Sequence, residues 1–145
     1  MAEWRQAIAI DPRCREAHDR LAEALYAGGD AAGALAHWRE GAQDAAALRR
    51  MAWALATDPD ARVRDGHEAV ALAVRALEIS SKKDAAVWDT LAAAYAEAGK
   101  FEDAVQAAER AIALAKSGNP SLAEQIKTRV RLYRAGEAFR EAAAR

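Results

Sequence analysis

The 145-residue chain is 52% apolar but only 6% aromatic, and its 21 basic and 22 acidic side chains leave a formal charge of −1. A length of this order suits one domain with a continuous core, and charges interspersed in this way supply no broad basic face for nucleic acid or anionic lipid. Cys14 is the single cysteine, which excludes an internal disulfide, and no apolar run approaches the ~20 residues that cross a bilayer, so direct membrane insertion is not expected.

Alanine, the strongest helix former, dominates, and β-branched residues never cluster in alternating runs. The expected class is all-α. Residues 1–5 show no basic and then apolar leader. The cytoplasm is therefore the default location, or the periplasm were the chain excised from a longer protein.

Along the chain, residues 2–11 come first and carry Trp4, Ala7 and Ile8 on one helical stripe. The same small pattern returns as Trp38-Gly41-Ala42, Ala73-Ala76-Leu77 and Ala108-Ala111-Ile112. From Trp4 to Trp38, Trp38 to Ala73 and Ala73 to Ala108 the steps are 34, 35 and 35 residues. Self-similarity at this period marks a helical repeat array, in which each unit hides its apolar face against its neighbours. Residues 2–11 match only the second helix of such a unit. This half repeat leaves apolar surface uncovered, so the chain is expected either to close a longer array or to pair as a homodimer through that end.

Asp11-Pro12 reads as N-cap and first turn of the next helix. Residues 12–43 form a first unit, with His18, Leu21, Ala22 and Leu25, a Gly28-Gly29-Asp30 turn capped by Asp30, and then Ala34, Trp38 and Gly41. Residues 44–80 form a second, with Leu48, Met51, Ala52 and Leu55 followed by Ala69, Ala73, Ala76 and Leu77. Leu21 to Ala34 and Leu91 to Ala104 are 13 residues apart, whereas Met51 to Ala69 is 18, so the internal turn 57–66 is enlarged. Asp58-Pro59-Asp60 is turn chemistry, and Asp65 suits an N-cap.

Residues 84–117 form the third unit, where Trp88, Leu91, Ala92 and Tyr95 share a stripe and Phe101, Ala104, Ala108, Ala111 and Ile112 make the return helix. Asn119-Pro120 opens a capping helix, 119–134, with Leu122, Ile126, Val130 and Tyr133 inward and Lys127, Arg129, Arg131 and Arg134 facing elsewhere. Ala135-Gly136 is expected to break it. In the tail, 135–145, Phe139-Arg140-Glu141 either folds back or frays.

Trp88-x-x-Leu91-Ala92-x-x-Tyr95, Gly99, Phe101, Ala104, Ala108 and Ala111 resemble a tetratricopeptide repeat. The departures are small residues for the second glycine and the late aromatic, and a proline displaced to Pro120. The resemblance covers Ala2 to about Lys116 and looks especially like the carboxy-terminal repeats of large bacterial proteins. It implies a right-handed α-solenoid of antiparallel helix pairs that binds a partner peptide or helix in its concave groove. The alternatives are a structural or oligomerising terminal cap and a regulatory appendage of a bacterial glycosyltransferase.

In such arrays the first helix of each pair lines the groove. Carried over position by position, this gives Glu16, Asp19, Arg20, Glu23 and Tyr26, then Arg49, Arg50, Trp53, Ala56 and Thr57, then Asp89, Thr90, Ala93 and Glu97. The partner-groove candidates are Asp19, Glu23, Tyr26, Arg49, Arg50, Trp53, Asp89 and Glu97. Trp53, two residues after Met51, is rotated off the core stripe. It serves either as a binding hot spot or, the favoured reading, as an anchor for the turn at 58–66. Arg49 and Arg50 either hold a partner's carboxylate or pair with neighbouring acids. The lysine and asparagine set that grips a peptide's terminal carboxylate in some family members is missing.

No metal, cofactor or enzymatic role is expected. Cys14 and His18 stand at i, i+4, but no second pair of ligands completes a zinc site. No nucleophile elbow, glycine-rich phosphate loop or HExxH occurs.

Overall fold

A computed structural model describes residues 1–142. Among the described residues there are eight α-helices and no strand. They are α1 (Ala2–Ile10), α2 (Arg15–Ala27), α3 (Ala31–Gly41), α4 (Ala45–Thr57), α5 (Gly66–Ile79), α6 (Ala85–Glu97), α7 (Phe101–Gly118) and α8 (Pro120–Arg134). Residues 143–145, the end of the expected tail, lie outside the described residues.

Local chemistry sets most boundaries. Asp30, Asp44, Asp65, Asp84 and Asn119 each accept a backbone N–H two or three residues on, which satisfies a donor that the first helical turn leaves free. Asp11 does not do so. It follows the end of α1, its carboxylate accepts from the Arg13 N–H at 3.0 Å, and α2 starts only at Arg15 behind Cys14.

Helices α2, α5, α6 and α8 end alike, with a left-handed residue and a crossing pair of backbone bonds. The left-handed residues are Gly29, Ser81, Gly99 and Gly136, and Lys82 after Ser81 is left-handed as well.

Each helix packs on the next, and α4 also packs on α6. The core is two overlapping clusters. One joins Ala22, Ala34, Leu35 and Trp38 to Met51, Leu55 and Ala93. The other joins Leu48, Leu77, Val87 and Leu91 to Ala104, Ala108, Ile126, Val130 and Tyr133. Each large aliphatic side chain hidden in this way contributes about 1.5–3 kcal/mol.

Alanine at most remaining contacts lets backbones approach closely. A Cβ on Gly66 would sit 2.6 Å from the Ala98 backbone nitrogen, so the start of α5 abuts the end of α6.

Of the three tryptophans on the apolar stripes, Trp4, Trp38 and Trp88, only Trp38 is fully buried. Trp4 and Trp88 are half-buried, the latter donating to the Lys82 carbonyl at 2.9 Å beneath Arg110. No residue of α1 is buried, and Ile10 is 79% exposed. No helix of the described residues is long and apolar enough to cross a membrane.

The enlarged turn runs from Asp58 to Asp65. Arg64 fastens it, donating to the carbonyls of Asp58 at 2.7 Å and Pro59 at 3.1 Å and pairing with Glu97 at 3.2 Å. The Asp65 N–H donates to the Leu55 carbonyl. Trp53, expected from the sequence to anchor this turn, packs with Val63 of the turn against one core cluster, but the polar contacts that fasten the turn come from Arg64. The Trp53 indole also meets the tail.

Candidate functional site

On α4 the side chains Leu48, Met51, Ala52 and Leu55 point into the core, and Arg49, Arg50 and Trp53 are left half-buried beside them. Arg50 reaches Asp19 and Glu23 of α2, and α4 packs on α6, the helix that carries Asp89 and Glu97.

At one end Arg50 lies between two carboxylates of α2, at 2.8 Å from Glu23 and 3.5 Å from Asp19. Burial raises the Asp19 carboxyl above its usual range, and Arg50 partly opposes that. The adjoining hollow of about 710 Å³ is lined by Arg15, Glu16, Asp19, Glu23, Arg50 and Ile79, among others. Arg49 is also half-buried. Desolvation lowers its guanidinium, as does its neighbour Arg50, with Asp84 and Asp89 opposing.

At the centre, Arg129 of α8 reaches across to α6 and grips Asp89 with two bonds, of 2.7 and 3.2 Å. Both side chains are buried. Burial pushes the Asp89 carboxyl up, and Arg129 counters it first by charge and then by the hydrogen bond. The same guanidinium lies 5.3 Å from the Trp53 ring and 5.2 Å from that of Phe139, within cation–π range of both. The sequence pattern sets Arg129 on the outward charged face of α8 with Lys127, Arg131 and Arg134, but it belongs to the interior.

The tail completes the site. After Gly136 the chain folds back, placing the Phe139 ring 5.8 Å from Trp53. The Trp53 indole N–H donates to a Glu141 carboxylate oxygen at 2.9 Å. The Glu141 N–H donates to the Thr57 carbonyl at 2.8 Å, and Arg140 pairs with Glu97 at 2.7 Å.

Tyr26 stands near the end of this segment with its ring tilted at 55° against Trp38, centroids 5.5 Å apart. Its hydroxyl is pushed up to about 12, first by burial and then by the charges of Asp58 and Glu141. Of the remaining carried-over positions, Ala56, Thr57, Thr90 and Ala93 are buried and Glu16 and Arg20 exposed.

Trp53, Asp89 and Glu97 thus meet one structure, the α8–tail segment, while Asp19, Glu23 and Arg50 form a separate cluster one turn of α4 away. Sequence reasoning missed Arg129. Its signal was present, because Ile126, Arg129, Val130 and Tyr133 stand at i, i+3, i+4 and i+7, so Arg129 shares the inward stripe.

His18 turns from Cys14 to His37, the two Nδ1 atoms being 3.0 Å apart, and its Nε2 meets the Pro12 carbonyl at 3.0 Å. Among the described residues no three potential metal ligands cluster. In comparisons with known proteins, no family model and no curated protein matches the chain.

Proposed function

We propose that the chain is a protein-interaction module of the tetratricopeptide kind, its helix pairs stacked as a right-handed solenoid, and that the face formed by α2, α4 and α6 takes an extended peptide of another protein. One observation carries this reading: a non-helical peptide, residues 138–142, already lies across that face and is recognised by side chains and a backbone carbonyl together. Tryptophan and arginine, the residues that dominate binding energy at protein interfaces, stand at its centre as Trp53 and Arg129.

The test is to pan a displayed random-peptide library against the full chain and against its Phe139→Ala variant, which withdraws the tail's aromatic ring. Enriched peptides are expected to bind at least about 30-fold more weakly after Trp53→Ala, the loss of about 2 kcal/mol typical of a hot spot. No enrichment on either protein, or enriched peptides indifferent to Trp53→Ala, overturns the reading.

A second reading, a cap or oligomerising end of an array, draws on the unburied α1 and its exposed Ile10. It requires self-association that Ile10→Glu abolishes. A strict monomer by light scattering at high concentration removes it.

A further inference from the structure

We propose that residues 136–142 are a tethered ligand of the groove, and that the groove prefers an extended peptide bearing an aromatic side chain followed directly by a cation and an acid. This inference rests on the peptide-binding reading above and adds to it a sequence preference and a built-in competitor.

Three consecutive tail side chains each have their own chemical complement. Phe139 lies against both the Trp53 ring and the Arg129 guanidinium, which favours an aromatic side chain. Arg140 meets the carboxylate of Glu97. Glu141 takes the indole N–H of Trp53 through its carboxylate, and its own N–H reaches the Thr57 carbonyl, an atom that any peptide residue except proline could equally engage. Aromatic, cation and acid are thus read in order.

The docked segment is also lightly held. Phe139 is only half-buried, and the Arg140 side chain is 37% exposed. Such a tail competes through proximity more than through strength, because a short tether gives it an effective concentration in the millimolar range. An outside peptide must displace it, so its apparent affinity falls by the fraction of molecules that stand open.

A longer peptide can also engage a hollow that residues 136–142 do not line. One turn along α4 from Trp53, the hollow around Arg50, Asp19 and Glu23 offers further charged contacts.

The probe is a fluorescein-labelled heptapeptide with the sequence of residues 136–142, Gly-Glu-Ala-Phe-Arg-Glu-Ala. Its binding to the full-length chain is read by anisotropy. Phe139→Ala is expected to tighten binding at least tenfold over the unaltered chain, and Glu141→Lys, a change at the surface end of the tail, to do the same. Adding Trp53→Ala to either is expected to abolish the gain, and a scrambled peptide to bind none of them. Helical circular dichroism is recorded for each variant, and the comparison rests on Glu141→Lys should Phe139→Ala fail to fold.

Equal affinity for the unaltered chain and both tail variants overturns the inference, as does absence of binding to all. If library-derived peptides still depend on Trp53 in those cases, the groove reading stands and only the tethered ligand falls. If the library also yields nothing, both fall.

Discussion

Arg129 shows how much one side chain can hold together. It neutralises Asp89 on α6, covers Trp53 on α4 and receives Phe139 from the tail, so it joins three parts of the chain far apart in sequence. Removing one member of a buried ion pair strands the other charge in a poorly solvated place. Arg129→Met is therefore expected to cost about 3 kcal/mol, measured as a fall in the urea midpoint at unchanged slope. Asp89→Asn should cost less, since a neutral amide oxygen still accepts from the guanidinium.

A second residue-scale effect concerns His37, whose imidazole is held below its ordinary 6.5 by burial, then by His18 and Arg5. In the pH window just under 6.5 the folded state therefore binds fewer protons than the unfolded one. The contribution is complete above that value and is lost as pH falls through the window. Melting temperature should drop between pH 7 and pH 5, and His37→Asn should flatten that slope. An unchanged slope would remove His37 as its source.

At the scale of the element, helix identity was legible because caps and periodicity agree. Asp30, Asp65 and Asn119 each accept the backbone bond that their spacing predicts. Asp11 misled because aspartate before proline can also turn the chain locally, which its bond to Arg13 does.

One helix end is at odds with its sequence. α5 closes with the Ser81 N–H on the Glu78 carbonyl and the Lys82 N–H on that of Leu77, yet Ser81 and Lys82 have φ of 57° and 60°. Left-handed backbone costs a residue with a Cβ roughly 1–2 kcal/mol. At the matching positions α2, α6 and α8 have Gly29, Gly99 and Gly136. Ser81→Gly should accordingly stabilise the chain by about 1 kcal/mol, seen as a higher urea midpoint with an unaltered circular dichroism spectrum. The converse change, Gly136→Ala, faces no steric neighbour. It should still cost a similar amount, and by straining the exit from α8 it should loosen the tail.

At the scale of the molecule, the all-helical, repeat-like arrangement was readable in the residues and the tail's place was not. Repeats are local: each helix meets the next, so a period of about 34 residues carries their pairing. The bond from Trp53 to Glu141 spans 88 residues, and no periodicity connects its ends. The sequence therefore pairs Trp53 with the nearest unexplained feature, the enlarged turn, which Arg64 in fact fastens.

Nearest-neighbour packing also implies that stability varies along the chain, as in a one-dimensional array. α1 buries no residue and packs chiefly on α2, whereas α4 and α6 each bury eight residues and pack on each other as well as on α5. Native-state hydrogen exchange should therefore show α1 amides opening at close to zero free energy, and those of α4 and α6 only near global unfolding. Because the tail bridges α4, α6 and α8, Phe139→Ala should lower protection of Thr57 and its surroundings while leaving α2 and α3 unchanged. Uniform protection from α1 to α8 would mean a single cooperative unit, and the array description of this chain would fail with it.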